Sequence, residues 1–316
     1  MTTNGRRHTA ITLLLAAATA LAALGVLAAP AAAASAPNPC SLPGMTTPAT
    51  YSHVVVIFEE NASYGRVVGS PDAPFFNQLA QQCALATNFH ESAGVSQPNY
   101  MAATGGEATG VGALVDAPSI FDQAASWAEL QESMSAPCGG RSPFYKPNHD
   151  PALWYVPLAA QCGASDLPVP ASDAGLTDAD LPTPLPAYTF ITPNLCHNHH
   201  WAPGCSQADT ESGNLQAMDT WLQGTVAALT ARPGYQAGRT LILIAFDEAS
   251  DPGVTTVPMV AVAAGVQPVA DDTKYDQYAL LRASEAALGI TTFLGQAATA
   301  NDTRSGMHFL VKPGIH

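Results

Sequence analysis

The chain contains the stretch Val54-Val55-Val56-Ile57-Phe58-Glu59-Glu60-Asn61, which decides its fold class. The first five residues are apolar without alternation, and Leu241-Ile242-Leu243-Ile244 repeats this pattern just before Phe246-Asp247-Glu248. Such runs are typical of strands that are buried on both faces of a sheet. Acidic residues directly after such strands lie at the carboxyl edge of the sheet, where open α/β proteins keep their active sites. The sequence therefore predicts an α/β protein with carboxylates gathered at one sheet edge.

Strand and helix patterns alternate along the chain. Apolar runs predict strands over 52–58, 84–89, 187–191, 240–246 and 257–263, and helical spacing predicts helices over 74–83, 97–104, 119–134, 214–230 and 277–288. This alternation indicates a mostly parallel central sheet with helices on both faces. Residues 136–186 are rich in Pro, Gly and Asp, and we expect them to be an insertion that covers one rim of the site. We expect residues 51–316 to form a single domain.

The N-terminal residues have the pattern of an export signal. Arg6 and Arg7 precede an uncharged Leu/Ala-rich segment over 11–27, and alanines fill positions 31–34. This predicts a secretory signal peptide over 1–35, and the paired arginines leave a twin-arginine route open. The Pro/Ser/Thr-rich residues 36–50 predict an extended leader. No later segment is long and apolar enough to span a bilayer, so we expect a secreted protein without stable membrane anchoring.

The charge of the chain excludes some partners. It has 11 Lys and Arg against 25 Asp and Glu, which gives a formal net charge of −14. So acidic a chain lacks the basic surface that nucleic acids and anionic lipids require. It would also repel a phosphorylated substrate at long range, so a local cation at the site becomes more necessary. The sequence leaves the oligomeric state open.

All six cysteines follow the signal pattern, and an even number in an exported chain predicts disulfides. The count allows many pairings, of which we predict Cys40–Cys83, Cys138–Cys162 and Cys196–Cys205. The spacing of the last pair favours a loop staple over a zinc site, because a CxxC-like spacing is absent.

The predicted helix after the second strand opens with Ser96-Gln97-Pro98-Asn99, which places a hydroxyl beside the acidic motifs. A serine is a poor nucleophile unless a base or a metal activates it, and a divalent cation would also neutralise a phosphate. Hard oxygen ligands for such an ion are offered by Glu60, Asn61, Ser96, Asp247 and Glu248. Each motif alone could be an ordinary strand-end turn or helix start. Together they predict a metal-activated serine that acts on a phosphate ester.

With these motifs in this order, the chain resembles the bacterial phosphoesterase family that groups secreted acid phosphatases with phosphatidylcholine-type phospholipases C, in the alkaline-phosphatase-like superfamily. The resemblance runs from about 52 to about 288, and the matching segments are 52–61, 96–100, 188–196, 219–222, 246–248 and 275–285. It implies an alkaline-phosphatase-like fold and a phosphoseryl intermediate on Ser96, with Asn99 in the same catalytic motif. It also implies one divalent metal ion, of unknown identity, bound by Glu60, Asn61, Ser96, Asp247 and Glu248.

The resemblance also assigns residues to the phosphate side of the site. It aligns His200 with the family's histidine, and we predict that His200 protonates the leaving group. Asn198 stands where the family has an aspartate and Gln277 where it has a histidine, which removes two ionisable groups but keeps hydrogen bonding. We predict that both of these residues and His199 bind the substrate.

Four further histidine assignments depend on the residues around them. His149 lies in a segment that resembles a family His-Asn-Pro-Ala motif, so it is either a substrate-binding residue or a structural one. We expect His197 to be incidental in a solvated loop, and His53 and His308 to be incidental as well.

The sequence therefore predicts a secreted, metal-assisted acid-phosphatase-like phosphomonoesterase, with a phosphorylated small molecule or a lipid as substrate. A phospholipase C-type phosphodiesterase is an alternative that the acidic surface disfavours. A catalytically weakened relative that binds a phosphorylated ligand is another, and Asn198 and Gln277 motivate it. A sulfatase on the same fold stays open, because a fold does not fix the ester that is cleaved.

Overall fold

A computed structural model describes residues 38–300. Within this range the strands are β1 His53–Glu59, β2 Ala84–Ala86, β3 Phe89–His90, β4 Trp127–Glu132, β5 Asp166–Val169, β6 Tyr188–Thr192, β7 Thr240–Phe246, β8 Met259–Ala263, β9 Val269–Asp271 and β10 Tyr275–Asp276. Eight of them form one sheet in the order β5-β4-β6-β1-β7-β8-β2-β9, and β3 pairs with β10 separately. Only β8 runs antiparallel to its neighbours among the paired strands of this sheet. The predicted mostly parallel sheet is confirmed.

The helices in the same range are α1 Tyr64–Val67, α2 Pro74–Gln82, α3 Ser96–Gly105, α4 Ile120–Gln123, α5 Cys162–Ser165, α6 Glu211–Thr230, α7 Pro233–Gln236 and α8 Gln277–Ala287. Short 3₁₀ helices cover Pro147–His149, Pro151–Trp154, Val156–Leu158, Asp178–Asp180 and Gly295–Ala298. Helix α3 packs on α8 and helix α2 packs on α6. The ring of Phe58 on β1 lies against Tyr100 of α3, whereas Phe246 on β7 lies against Phe76 of α2. Because side chains alternate along a strand, the two helix pairs cover opposite faces of the sheet.

The register of the two central strands sets the position of the site. Glu59 at the end of β1 pairs with Phe246 at the end of β7, so the two strands end at the same level. All seven residues of β7 and six of the seven in β1 are buried, which fits the uninterrupted apolar runs. The residues that follow, Glu60 and Asp247, are therefore carried side by side at the middle of the sheet.

Two predicted elements are wrong. The predicted helix over 119–134 is instead the short helix α4 and the strand β4. In β4 every residue is buried, and its acidic residues Glu129 and Glu132 accept hydrogen bonds from the distant backbone of Ala152 and Asn194. The predicted strand over 84–89 is two strands, because β2 joins the main sheet and β3 turns away to pair with β10.

The three predicted disulfides, Cys40–Cys83, Cys138–Cys162 and Cys196–Cys205, are present. Residues 38–50 contain turns without helix or strand, and the segment 136–186 adds the edge strand β5 to the sheet. Over 38–300, no helix combines the length and the apolar character needed to cross a membrane. The predicted signal peptide lies outside the described residues.

Candidate active site

The side chain of Ser96 meets two carboxylates at the carboxyl edge of the sheet. Its Oγ atom lies 3.2 Å from Glu60 Oε2 and 3.2 Å from Glu248 Oε1. Glu60 follows β1, Glu248 lies two residues after β7, and Ser96 is the first residue of α3. The structure thus brings together three elements that the sequence predicted to converge.

Asp247 fastens the two strand ends to each other. Its Oδ1 atom accepts hydrogen bonds from the backbone N–H of Asn61 at 3.0 Å and of Glu248 at 2.6 Å. The side-chain amide of Asn61 donates to Glu248 Oε1 at 2.7 Å. Asn61 adopts a positive φ of 30°, a conformation that asparagine tolerates better than most residues. Asn61, Asp247 and Glu248 are therefore one hydrogen-bonded unit, and the Ser96 hydroxyl joins Glu60 to it through Glu248.

This unit contains more buried negative charge than a protein interior ordinarily accepts. Glu60 and Asp247 are fully buried, and Glu248 is half-buried. Burial and the neighbouring charge of Asp247 raise the pKa of Glu60 well above its usual value. Burial and the charge of Glu248 raise the pKa of Asp247 to about 7. A bound cation would relieve both effects, because it stabilises the ionised carboxylates.

The donor set fits a divalent metal ion. Oxygen atoms of Glu60, Asp247 and Glu248 lie within 4.8 Å of one another. Among residues 38–300, Asn61 Oδ1 and Asp247 Oδ2 are buried and have no hydrogen-bond partner. Buried oxygens rarely stay unpartnered in native proteins. An oxygen-only set of carboxylates, an amide and a hydroxyl suits a hard cation such as Mg²⁺, Ca²⁺ or Mn²⁺.

Two imidazoles line the same carboxylate. His149 Nε2 lies 3.2 Å from Glu60 Oε1, and His200 Nδ1 lies 4.0 Å from Glu60 Oε2. Burial and the charge of His200 lower the pKa of His149 well below its usual value. Burial and the charge of His199 lower the pKa of His200 to about 4. These shifts favour the neutral form of both rings at pH 7.

The loop that carries His200 is anchored by its neighbours. His199 Nδ1 lies 2.9 Å from the carbonyl oxygen of Asn61, and its Nε2 lies 3.3 Å from Glu211 Oε1. Asn198 accepts a hydrogen bond from the backbone N–H of His200 at 3.2 Å, and it donates to the carbonyl of Pro193 at 3.3 Å. These contacts hold the loop, and substrate binding by Asn198 and His199 stays a prediction.

His197 is not in a solvated loop, and that expectation is wrong. The residue is 2% exposed, and its Nδ1 lies 2.9 Å from both oxygens of Glu132. Its Nε2 lies 3.1 Å from Asp173 Oδ1. Burial alone would lower the pKa of His197, but the two carboxylates outweigh burial and raise it. The histidine joins its loop to β4 as part of a buried ion pair.

Asn99 and Gln277 support the backbone around the site. Asn99 accepts from the N–H groups of Ser92 and Ala93, at 2.8 and 2.9 Å, so it shapes the chain that leads into Ser96. The Gln277 amide donates to the carbonyls of Phe246 at 2.8 Å and Asp247 at 3.1 Å. A catalytic role for Asn99 and a substrate contact for Gln277 stay predictions.

Sequence reasoning assigned no role to Tyr100, although its hydroxyl donates to Glu60 Oε1 at 2.6 Å. A signal was present, because a residue four positions after Ser96 lies one helical turn further along the same face of α3. Sequence reasoning also missed Glu132, and no local pattern marks that residue.

Comparison with known proteins assigns this chain to a family. The phosphoesterase family matches residues 70–291, which is more than half of the chain. The chain belongs to the phosphoesterase family. The match covers Ser96, Asp247 and Glu248, and the predicted membership is confirmed.

The curated relatives of this phosphoesterase are phosphatases. The chain is 26% identical to a phosphatidylinositol-3-phosphatase from Mycobacterium tuberculosis, over 86% of this chain and 88% of the relative. It is 27% identical to a probable acid phosphatase from Kluyveromyces lactis, over 75% of this chain and 58% of the relative. The chain thus spans little more than half of the yeast protein. These relatives support a hydrolase that acts on phosphate esters, as predicted.

Solved structures show the fold of this phosphoesterase. An alkaline phosphatase superfamily protein from Vibrio parahaemolyticus aligns with a TM-score of 0.57 at 13% identity, over 81% of this chain and 74% of that one. The lipoteichoic acid synthase LtaP from Listeria monocytogenes aligns with a TM-score of 0.56 at 11% identity, over 82% and 76%. The predicted alkaline-phosphatase-like fold is confirmed.

Proposed function

We propose that this phosphoesterase is an exported, metal-assisted phosphomonoesterase that uses Ser96 as its nucleophile. The observation that carries the proposal is the position of Ser96 Oγ, 3.2 Å from both Glu60 Oε2 and Glu248 Oε1. Ser96 is also the first residue of the ten-residue helix α3. The free N–H groups and the helix dipole at that end favour an anion such as a phosphate group.

The residues that would hold the metal are Glu60, Asn61, Ser96, Asp247 and Glu248. A divalent cation bound there would favour the ionised form of the serine hydroxyl and would neutralise charge on the phosphate. Ser96 Oγ attacks phosphorus and forms the phosphoserine as the bond from phosphorus to the ester oxygen breaks. Water then cleaves the phosphoserine and releases inorganic phosphate.

His200 is the proposed acid for the leaving alcohol. Its Nδ1 atom is buried, finds no hydrogen-bond partner in the part of the chain that the structure describes, and lies 4.0 Å from Glu60 Oε2. A phosphate bound beside the ring would raise the low pKa of His200, because a nearby negative charge favours the protonated imidazole. His200 would then donate a proton to the leaving oxygen and take one from water in the second step. The ring of His149 lies beside that of His200, with ring centroids 5.8 Å apart.

A monoester substrate is supported by the relatives. One is named a phosphatidylinositol-3-phosphatase and three are named acid phosphatases. Those names describe the removal of a terminal phosphate. They are compatible with a phosphate carried by a small molecule or by a lipid headgroup. Export is supported by the three disulfides, which persist in oxidising compartments.

The test compares turnover of an aryl phosphate monoester and an aryl phosphate diester by the oxidised protein, with and without a chelator. Ser96→Ala is the test variant, and Ser284→Ala is its control, since Ser284 is a buried serine that bonds within helix α8. We expect monoester turnover that the chelator and Ser96→Ala abolish and Ser284→Ala retains. Preference for the diester would move the assignment to a phospholipase C-type enzyme. Metal binding without turnover of either ester would indicate a ligand-binding relative.

A further inference from the structure

We propose that Tyr100 is a positioning residue that fixes which oxygen of Glu60 faces the nucleophile. The inference rests on the proposed function, because it concerns the metal site described there. Tyr100 donates a hydrogen bond to Glu60 Oε1 at 2.6 Å. Within the described residues it makes no hydrogen bond to Asn61, Asp247 or Glu248.

The two oxygens of Glu60 have separate surroundings. Oε1 receives the Tyr100 hydroxyl and faces His149 Nε2 at 3.2 Å. Oε2 lies 3.2 Å from Ser96 Oγ and 4.0 Å from His200 Nδ1. The carboxylate therefore presents one oxygen to the protein interior and the other to the reacting groups.

The Tyr100 hydroxyl is held rigidly in place. The residue is 0% exposed and lies on α3, one turn after Ser96. Its ring meets the edge of Phe58 at 4.7 Å between centroids and stacks on His149 at 5.5 Å with 6° between the planes. The carbonyl of His149 in turn accepts hydrogen bonds from Gln131 and Thr192, each at 3.1 Å. Strands β4 and β6 therefore brace the stack that aims the hydroxyl.

Loss of the hydroxyl would release Glu60 from this orientation. Oε1 would lose its hydroxyl donor in a fully buried position and keep only His149 Nε2 at 3.2 Å, and losing a hydrogen bond to a buried carboxylate is costly. The carboxylate would turn toward other partners and move Oε2 away from Ser96 and the ion. Groups that orient metal ligands typically contribute 10- to 100-fold to metal affinity.

The experiment titrates metal-free protein with Mn²⁺ and follows binding by calorimetry and by the electron paramagnetic resonance signal of free Mn²⁺. Tyr100→Phe is the test variant. Tyr155→Phe is the matched control, since the Tyr155 hydroxyl is also buried against α3, bonded to Thr104 Oγ1 at 2.9 Å and to Met101 O at 3.3 Å. We expect Tyr100→Phe to bind Mn²⁺ at least about 10-fold more weakly than wild type, and Tyr155→Phe to bind within about twofold of it. With a monoester substrate, saturating Mn²⁺ should restore most of the kcat that Tyr100→Phe loses relative to wild type at low Mn²⁺.

Equal Mn²⁺ affinity in wild type and Tyr100→Phe would overturn the positioning role and leave the proposed function intact. Absence of Mn²⁺ binding to the wild type would instead overturn the metal site itself. A crystal structure of the wild type with Mn²⁺ keeps the inference testable if Tyr100→Phe does not fold. We expect Oε2 alone of Glu60 on the ion and Oε1 on Tyr100, and an ion bound by both oxygens would refute the proposal.

Discussion

The two carboxylate oxygens of Asp247 have different proposed roles, backbone bridging and metal binding, and substitutions can separate these roles. Oδ1 accepts hydrogen bonds from two backbone N–H groups, whereas Oδ2 is buried and has no hydrogen-bond partner within residues 38–300. Asp247→Asn keeps an acceptor for both N–H groups but replaces Oδ2 with an amide that cannot bind a cation. Asp247→Ala removes both the backbone acceptor and the cation-binding oxygen. We therefore expect both variants to lose metal binding, and only the alanine variant to lose the bridge between the strand ends.

The magnitudes follow from the hydrogen bonds and the pKa. Each N–H left unpaired in Asp247→Ala costs about 1–2 kcal/mol, so the lost bridge costs roughly 2–4 kcal/mol of unfolding free energy. The pKa of Asp247 is about 7 in the folded protein, against a usual 3.8, so the folded state holds the proton more tightly. The contribution of this group is full below about pH 4 and is lost as the pH rises through 7, which amounts to at most about 4 kcal/mol. At pH 8 and without metal, Asp247→Asn should therefore be more stable than wild type.

The assay is urea unfolding of the metal-free proteins at pH 5 and pH 8, with Mn²⁺ titration in parallel. We expect Asp247→Asn to gain stability over wild type between pH 5 and pH 8, and to bind Mn²⁺ more than about 100-fold more weakly, since a direct ligand outweighs the 10- to 100-fold of an orienting group. The reasoning is refuted if Asp247→Asn binds Mn²⁺ like the wild type, or if Asp247→Ala is as stable as Asp247→Asn.

Three other predictions use the same logic. Burial raises the pKa of Glu285 from a usual 4.5 to about 7. The unfolding free energy of Glu285→Gln should therefore gain up to about 3 kcal/mol over that of wild type as the pH rises from 4.5 through 7. A difference in urea unfolding that does not change with pH would contradict this. Replacing Cys196 and Cys205, nine residues apart, by serine should cost about 3 kcal/mol of unfolding free energy and lower kcat through the histidine loop, whereas an unchanged melting temperature would count against the staple. His197→Gln should cost roughly 3–5 kcal/mol in thermal unfolding because it breaks a buried pair with Glu132, and a loss below about 1 kcal/mol would show that the pair is not structural.

The buried apolar strands could be predicted from the sequence because each carries its own signal. The strand β7 was predicted with the bounds Thr240–Phe246 that the structure shows, and β1 was off by one residue at each end. The strand β4 could not be predicted in this way, because Glu129, Gln131 and Glu132 interrupt its apolar pattern. Their burial is stabilised by donors that are distant in the sequence, and local spacing carries no information about those donors.

In the candidate site, too, residues marked by the local sequence could be predicted, whereas contacts between distant segments could not. The convergence of Glu60, Asp247 and Glu248 could be predicted because they follow the two clearest strands, and parallel strands bring their carboxyl ends together. The ion pair of His197 could not be predicted, because Glu132 and Asp173 belong to other segments of the chain. A histidine in a polar loop has the same local sequence whether it is exposed or buried.

The two departures from the family pattern each fit the local structure better than the expected residue would. Gln277 Nε2 carries two hydrogens and donates to the carbonyls of both Phe246 and Asp247, whereas one nitrogen of a neutral histidine carries a single hydrogen. Asn198 accepts from the N–H of His200 and donates to the carbonyl of Pro193, and an aspartate there would set a carboxylate oxygen against that carbonyl. Both amides therefore fix the backbone of a segment that carries a proposed site residue, Asp247 or His200. Neither amide titrates, so the departures leave His200 and His149 as the imidazoles beside Glu60, at 4.0 and 3.2 Å, and we expect kcat measured against pH to depend on the protonation of these two rings.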